Sequence, residues 1–205
     1  MNQDGVADLI FQNTVTNEVS IWFMAGTDGL TIASAPIIAR AAPDWHIKAA
    51  ADMNGDGAAD LILQNDVSNA VSIWFMNAGG QSFYAAPLIH VAAAGWKLAA
   101  AGDINSDGVP DLLFQQQDTR QVSVWFMNPG ALSFGSAPVV ASPAQGSTLT
   151  GVSDLDGSGT LDYIFQNRAT GEVSEWLVSG RQGDRFSSTT TVATAASGWQ
   201  VVAAR

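Results

Sequence analysis

Four similar apolar strings recur along the chain: EVSIWFM (18–24), AVSIWFM (70–76), QVSVWFM (121–127) and EVSEWLV (172–178). In an extended segment successive side chains point to opposite faces. Val71, Ile73 and Phe75 therefore point one way, and Trp74 and Met76 the other. Both faces are apolar and rich in β-branched and aromatic residues, which predicts a strand covered on both sides. A second apolar run precedes each string, inside MNQDGVADLIFQN (1–13), DMNGDGAADLILQN (52–65), DINSDGVPDLLFQQ (103–116) and DLDGSGTLDYIFQN (154–167). After each string come a Gly-rich gap and an outer segment. That segment carries Ala35-Pro36, Ala86-Pro87 or Ala137-Pro138 in the first three copies and a Thr/Val-rich run (188–195) in the fourth. A Trp-led, Ala-rich run closes the unit: WHIKAAAD (45–52), WKLAAAGD (96–103) and WQVVAAR (199–205), with STLTGVSD (147–154) lacking the Trp.

These strings repeat with a period of about 51 residues, the mark of a repeat architecture. Turn residues separate the runs, and nothing reads as a capped amphipathic helix. Four short strands per repeat, with both sheet faces buried, predict an all-β fold: a β-propeller of four four-stranded blades. A β-sandwich competes, but gives no reason for the repeat. The whole chain, 1–205, reads as one propeller domain. Its blades are 199–205 plus 1–41, then 44–92, 95–142 and 146–195, so strands from both termini are expected to close the first blade. The alternative is half of an eight-bladed propeller completed by a second copy, so a monomer or a homodimer. The alanines of the first strands (Ala49, Ala50, Ala51; Ala99, Ala100, Ala101; Ala203, Ala204) suit a narrow centre.

Composition sharpens this picture. The chain has 205 residues, 47% apolar and 13% charged, with no cysteine, so packing or metal must do any stapling. Its net charge is −11, which argues against nucleic acid as a partner. Eleven of its 19 acids lie in four loops, and the rest of the chain is neutral. No apolar run is long enough to insert into a membrane. No signal peptide is visible; the chain opens inside a motif, and its start says little about secretion.

The four loops follow D-x-[DN]-x-[DS]-G-x-x-D. Side-chain oxygens at positions 1, 3, 5 and 9, with the backbone carbonyl at 7, can converge on one cation. Many hard oxygen ligands suit Ca²⁺ better than Mg²⁺. The expected metal residues are Asn2, Asp4, Val6 and Asp8; Asp52, Asn54, Asp56, Ala58 and Asp60; Asp103, Asn105, Asp107, Val109 and Asp111; and Asp154, Asp156, Ser158, Thr160 and Asp162. Up to four Ca²⁺ are expected, one per blade. Gly5, Gly57, Gly108 and Gly159 at position 6 permit the bend. No EF-hand is present, because position 12 is apolar and no helix flanks the loop. The competing reading is four plain Asp/Gly hairpin turns. The first loop lacks position 1; Arg205 aligns just before it, so its terminal carboxylate is expected to stand in.

The D-x-N-x-D-G-x-x-D-L loop leading into an apolar strand resembles the FG-GAP/VCBS repeat family, which includes integrin α-chain propellers and bacterial extracellular repeat proteins. The resemblance covers essentially the whole chain, four times. It implies a propeller whose loop between first and second strands binds Ca²⁺ at the positions given above, and an extracellular or cell-surface setting. LQN and FQQ stand where the GAP string that helps name the family is expected.

The expected function is a calcium-stabilised extracellular binding or adhesion module with a glycan or protein ligand. Related seven-bladed repeats include lectins. Trp45, Trp96 and Trp199 begin inner strands and are candidate ligand platforms; wedging between blades is their structural alternative. A purely structural repeat unit is the other functional reading. An enzyme is not expected: His46 and His90 occupy non-equivalent positions, and no G-x-S-x-G motif occurs. Glu175 takes the place of Ile21, Ile73 and Val124 in a strand expected to be buried. An edge, a dimer contact or a raised pKa would each account for it.

Overall fold

In the computed structural model, which describes residues 1–26 and 31–201, the apolar strings form strands in every repeat. The first sheet holds β1 (Leu9–Gln12), β2 (Glu18–Ala25), β3 (Thr31–Ser34) and β4 (Ile37–Arg40). The second holds β5 (Trp45–Ala51), β6 (Asp60–Asn65), β7 (Ala70–Met76), β8 (Phe83–Ala85) and β9 (Leu88–Val91). The third holds β10 (Trp96–Gly102), β11 (Asp111–Gln116), β12 (Val122–Met127), β13 (Phe134–Ser136) and β14 (Val139–Ala141). The fourth holds β15 (Ser147–Ser153), β16 (Asp162–Asn167), β17 (Glu172–Val178) and β18 (Phe186–Thr194). Strands pair antiparallel in sequence order within each sheet, except that β4, β9 and β14 pair back to β2, β7 and β12. Four antiparallel, four-stranded sheets with no helix among the described residues are the blade set of a four-bladed β-propeller.

The chain divides into two compact units, Met1–Ala92 and Ala93–Arg205, with two sheets in each. In the first unit Val19, Ile21 and Phe23 pack with Leu61, Leu63, Trp74 and Met76. In the second, Leu113, Val122 and Val124 join Leu149, Tyr163, Phe165 and Val178. The valine and isoleucine face of one third strand thus meets the tryptophan-bearing face of the next blade's third strand, as its doubly apolar pattern requires. The mid-strand tryptophans stack on outer-strand rings: Trp74 on Phe83 at 4.6 Å and Trp125 on Phe134 at 4.5 Å.

In the first three blades the outer strand is split, and both halves pair with the third strand. The break falls at Ala-Pro, because proline has no N–H to give the ladder. A serine of the third strand seals it. Ser20 and Ser72 donate from Oγ to the Pro36 and Pro87 carbonyls at 2.9 Å, and Ser123 donates to the Ala137 carbonyl at 3.2 Å. The fourth blade has no Ala-Pro, and β18 runs unbroken for nine residues.

In the first, third and fourth repeats a glutamine at the end of the second strand clamps the backbone of the segment that follows the outer strand. Gln12 Nε2 donates to the Trp45 carbonyl at 2.7 Å, and its Oε1 accepts Ile47 N–H at 2.9 Å. Gln115 makes the same pair with Ser147 (3.1 Å) and Leu149 (3.0 Å). Gln166 makes it with Trp199 (3.0 Å) and Val201 (2.9 Å). Gln64 is fully buried at the equivalent place. A primary amide offers one donor and one acceptor side by side and so reads two backbone groups at once. Gln166 grips residues 199 and 201 with the spacing used on the true first strands, which agrees with their alignment as a first strand. These residues are not in a strand, however, and the remainder of the expected closing strand, 202–205, lies outside the described residues, as does Arg205 beside the first loop.

Candidate metal centre

In the second, third and fourth sheets the acidic loop spans the turn from first strand to second, in the first it precedes β1, and each loop is wrapped around its own carboxylates. Asp52 at position 1 accepts the N–H groups of Gly55 (2.8 Å), Asp56 (3.0 Å) and Gly57 (2.7 Å). Asp103 likewise accepts from Asp107 (3.0 Å) and Gly108 (2.9 Å), and Asp154 accepts from Gly159 (3.0 Å). At position 5, Asp4, Asp56 and Asp107 each accept the N–H two residues on at 2.8 Å. That bond holds the Asp4 carboxyl below the usual carboxylate range, helped by the Asn2 amide. Gly57 and Gly108 adopt φ of 87°, the left-handed bend expected at position 6. Position 4 is left-handed as well, at Gln3 (φ 63°), Gly55 (77°), Ser106 (58°) and Gly157 (74°), which the sequence pattern did not reveal.

Position 9 has a second duty. Asp60 is fully buried, and its two oxygens accept Met76 N–H (2.8 Å) and Met53 N–H (3.0 Å). Asp111 does the same with Met127 (2.9 Å) and Ile104 (3.1 Å), and Asp162 with Val178 (2.7 Å) and Leu155 (2.8 Å). Asp8 follows with Met24 (2.9 Å) and Asn2 (3.3 Å), and the Met1 ammonium lies 3.0 Å from it. This carboxylate pins its loop to the end of the third strand. Burial pushes Asp60 and Asp111 up to about 6 against these hydrogen bonds, with Asp52 and Asp56, or Asp103 and Asp107, adding repulsion.

The loops differ at position 3. Asn54 Nδ2 donates to Asp56 Oδ2 at 3.0 Å, and Asn105 to Asp107 at 2.8 Å, so the amide neutralises part of the acidic surface. In the fourth loop Asp156 replaces that asparagine and cannot donate. There Asp154, Asp156 and Asp162 present oxygens that all lie within 4.8 Å of one another. Ser158 and Thr160 add hydroxyls 2.8 Å apart, and Thr160 Oγ1 donates to the Val178 carbonyl. Three converging carboxylates repel unless a cation joins them, and the whole donor set is hard oxygen. The residues present therefore fit a calcium ion, best at the fourth loop.

The FG-GAP-like repeat profile matches residues 1–63 and 52–114, with the first two complete acidic loops inside the matched span. The chain belongs to the FG-GAP-like repeat family. The fourth repeat, beyond the matched residues, carries the same loop, pinning aspartate and amide clamp. No curated protein matches this FG-GAP-like chain. Among solved structures, the pore form of the Tc holotoxin of Photorhabdus luminescens aligns with 94% of the chain at 15% identity and a TM-score of 0.39. The alignment spans 12% of the toxin chain.

Of the aromatic candidates, Trp45 and Trp96 open β5 and β10 and are half-buried, while Trp199 is 74% exposed. Glu175 is half-exposed between Ile164 and Thr190 of the flanking strands. No helix among the described residues is long and apolar enough to cross a membrane.

Proposed function

We propose that this FG-GAP-like chain is a calcium-stabilised, non-catalytic binding module that works outside the cell and takes up to four Ca²⁺. The observation that carries this reading is the convergence of Asp154, Asp156 and Asp162 in a loop whose frame recurs in all four repeats. Bound calcium supplies the positive charge that lets these carboxylates sit together. The chain's residues do the rest. The position-1 aspartate shapes the loop, the position-5 aspartate caps it, and the position-9 aspartate anchors it to the third strand. Binding only to the folded loop stabilises the fold by linkage. Extracellular modules of this kind typically bind calcium at about 10⁻⁴–10⁻³ M, which suits an extracellular or cell-surface setting. With a charge of −11, the ligand is proposed to be a glycan or a protein rather than nucleic acid, bound without membrane insertion.

A cavity of about 280 Å³ on the fourth blade favours a glycan. It is lined by Trp176, Glu172, Asn167, Ser174, Thr189 and Thr191 among others. An indole beside hydroxyls, an amide and a carboxylate suits a sugar ring and its hydroxyl groups. This blade lacks the Ala-Pro carbonyl that occupies Ser20, Ser72 and Ser123, so Ser174 lines the cavity instead.

Thermal melting of the full chain with calcium and with chelator tests the metal reading. A clear fall in Tm on chelation, reproduced by Asp156→Ala in calcium, is expected; equal melting curves would overturn it. A glycan array tests the ligand reading, with loss of signal expected for Glu172→Gln. The absence of any glycan signal would leave a protein as the proposed ligand.

A further inference from the structure

The turn between second and third strands ends on a residue with left-handed backbone in every repeat. Asn17 (φ 58°), Asn69 (58°) and Gly171 (78°) take this position in the first, second and fourth. These residue types enter that region at least cost. The third repeat places Arg120 there, at φ 63°. Arginine gains nothing locally from this conformation, and strained residues held by their surroundings cluster at binding sites. The surroundings do hold it: Arg120 N–H donates to the Gln116 carbonyl at 3.0 Å, and its own carbonyl accepts Gln115 Nε2 at 3.0 Å. Its side chain shows a second anomaly. Nε is buried and has no hydrogen-bond partner, the only buried side-chain polar atom so placed among the described residues.

Arg120 lines a cavity of about 200 Å³ together with Lys97, Gln117 and Thr148, with Leu98, Ala99 and Leu149 as apolar wall. The amide of Gln115, also in the lining, is used by the clamp on Ser147 and Leu149. No carboxylate lines this cavity, although the chain holds 19 acids and only 8 lysines and arginines. The second repeat carries an acid at the equivalent turn. Asp66 stands where the third repeat has Gln117, and it pairs with Lys48 at 3.1 Å and lies 3.4 Å from His46. Asp118, in the same turn as Arg120, lies against the Gln116 amide at 3.5 Å.

The geometry points to an anion site in the third blade that takes the carboxylate of a small ligand with an apolar body. The guanidinium fork matches a planar carboxylate, Lys97 adds charge, and Gln117 and Thr148 add donors. The leucine and alanine wall suits carbon rather than a bare inorganic ion. This inference stands apart from the calcium reading, since none of its residues belongs to an acidic loop.

The test is calorimetric titration of the full chain, kept in calcium, with isobutyrate, isobutyramide and inorganic phosphate, alongside melting curves of Arg120→Asn. Isobutyrate should bind and isobutyramide should not. Arg120→Asn should weaken isobutyrate binding by about tenfold or more, the worth of a lost charge-assisted pair. Its Tm should stay equal or rise, because asparagine is the residue the first two repeats use at this turn. Isobutyrate binding that survives Arg120→Asn would overturn the proposal, as would no binding at all or a preference for phosphate. A fall in the Tm of Arg120→Asn would make the arginine structural and overturn it too.

Discussion

At the residue scale, the side chains that matter most work on backbone. Gln115 satisfies the Ser147 carbonyl and the Leu149 N–H, both in a buried setting. Replacing it with leucine keeps bulk but strands both groups, and each stranded buried group costs about 1–3 kcal/mol. Gln115→Leu is therefore expected to lower the free energy of unfolding by about 2–4 kcal/mol in urea titration. An unchanged midpoint would show the clamp to be incidental. The acidic loops were legible at this scale because their bonds are local; Asp52 reaches residues only three to five positions away. The glutamine was not. Its partners lie 32 to 35 positions along the chain, and a lone glutamine after an apolar run carries no propensity signal. Only its return in all four repeats hinted at a role. The loop pattern marks the position-9 aspartates as metal residues; their bonds to the third strand depend on a hairpin 16 residues away, which spacing alone does not display.

At the element scale, the strands fall where the periodic strings place them, and β5 and β10 begin at the expected tryptophans. The split outer strands were marked by Ala-Pro, but their sealing serines were not foreseen. Ser72 and Ser174 occupy equivalent positions with unequal duties. Ser72→Ala loses a hydrogen bond from a nearly buried hydroxyl and should destabilise the fold by about 1 kcal/mol. Ser174→Ala, facing a cavity beside an unbroken strand, should cost under about 0.5 kcal/mol. Equal losses in denaturant melts would contradict this account of the break. Glu175 replaces an apolar residue in β17, whose odd face of Val173, Glu175 and Leu177 is half-exposed, so the fourth blade's pattern departs where its cover is thinner.

For the whole molecule, fold class followed from the repeat, because only stacked sheets bury strands apolar on both faces. The closing of the first blade by residues from both termini was an expectation that falls largely outside the described residues. Assembly as a single propeller predicts a solution mass of 21.4 kDa by sedimentation; twice that mass would favour the eight-bladed dimer. The recurring acidic turns are proposed to hold calcium. Native mass spectrometry of the full chain in calcium reads this directly. Bound calcium is expected, up to four ions, stripped by chelator and reduced by one in Asp156→Ala. A metal-free spectrum at saturating calcium would contradict it.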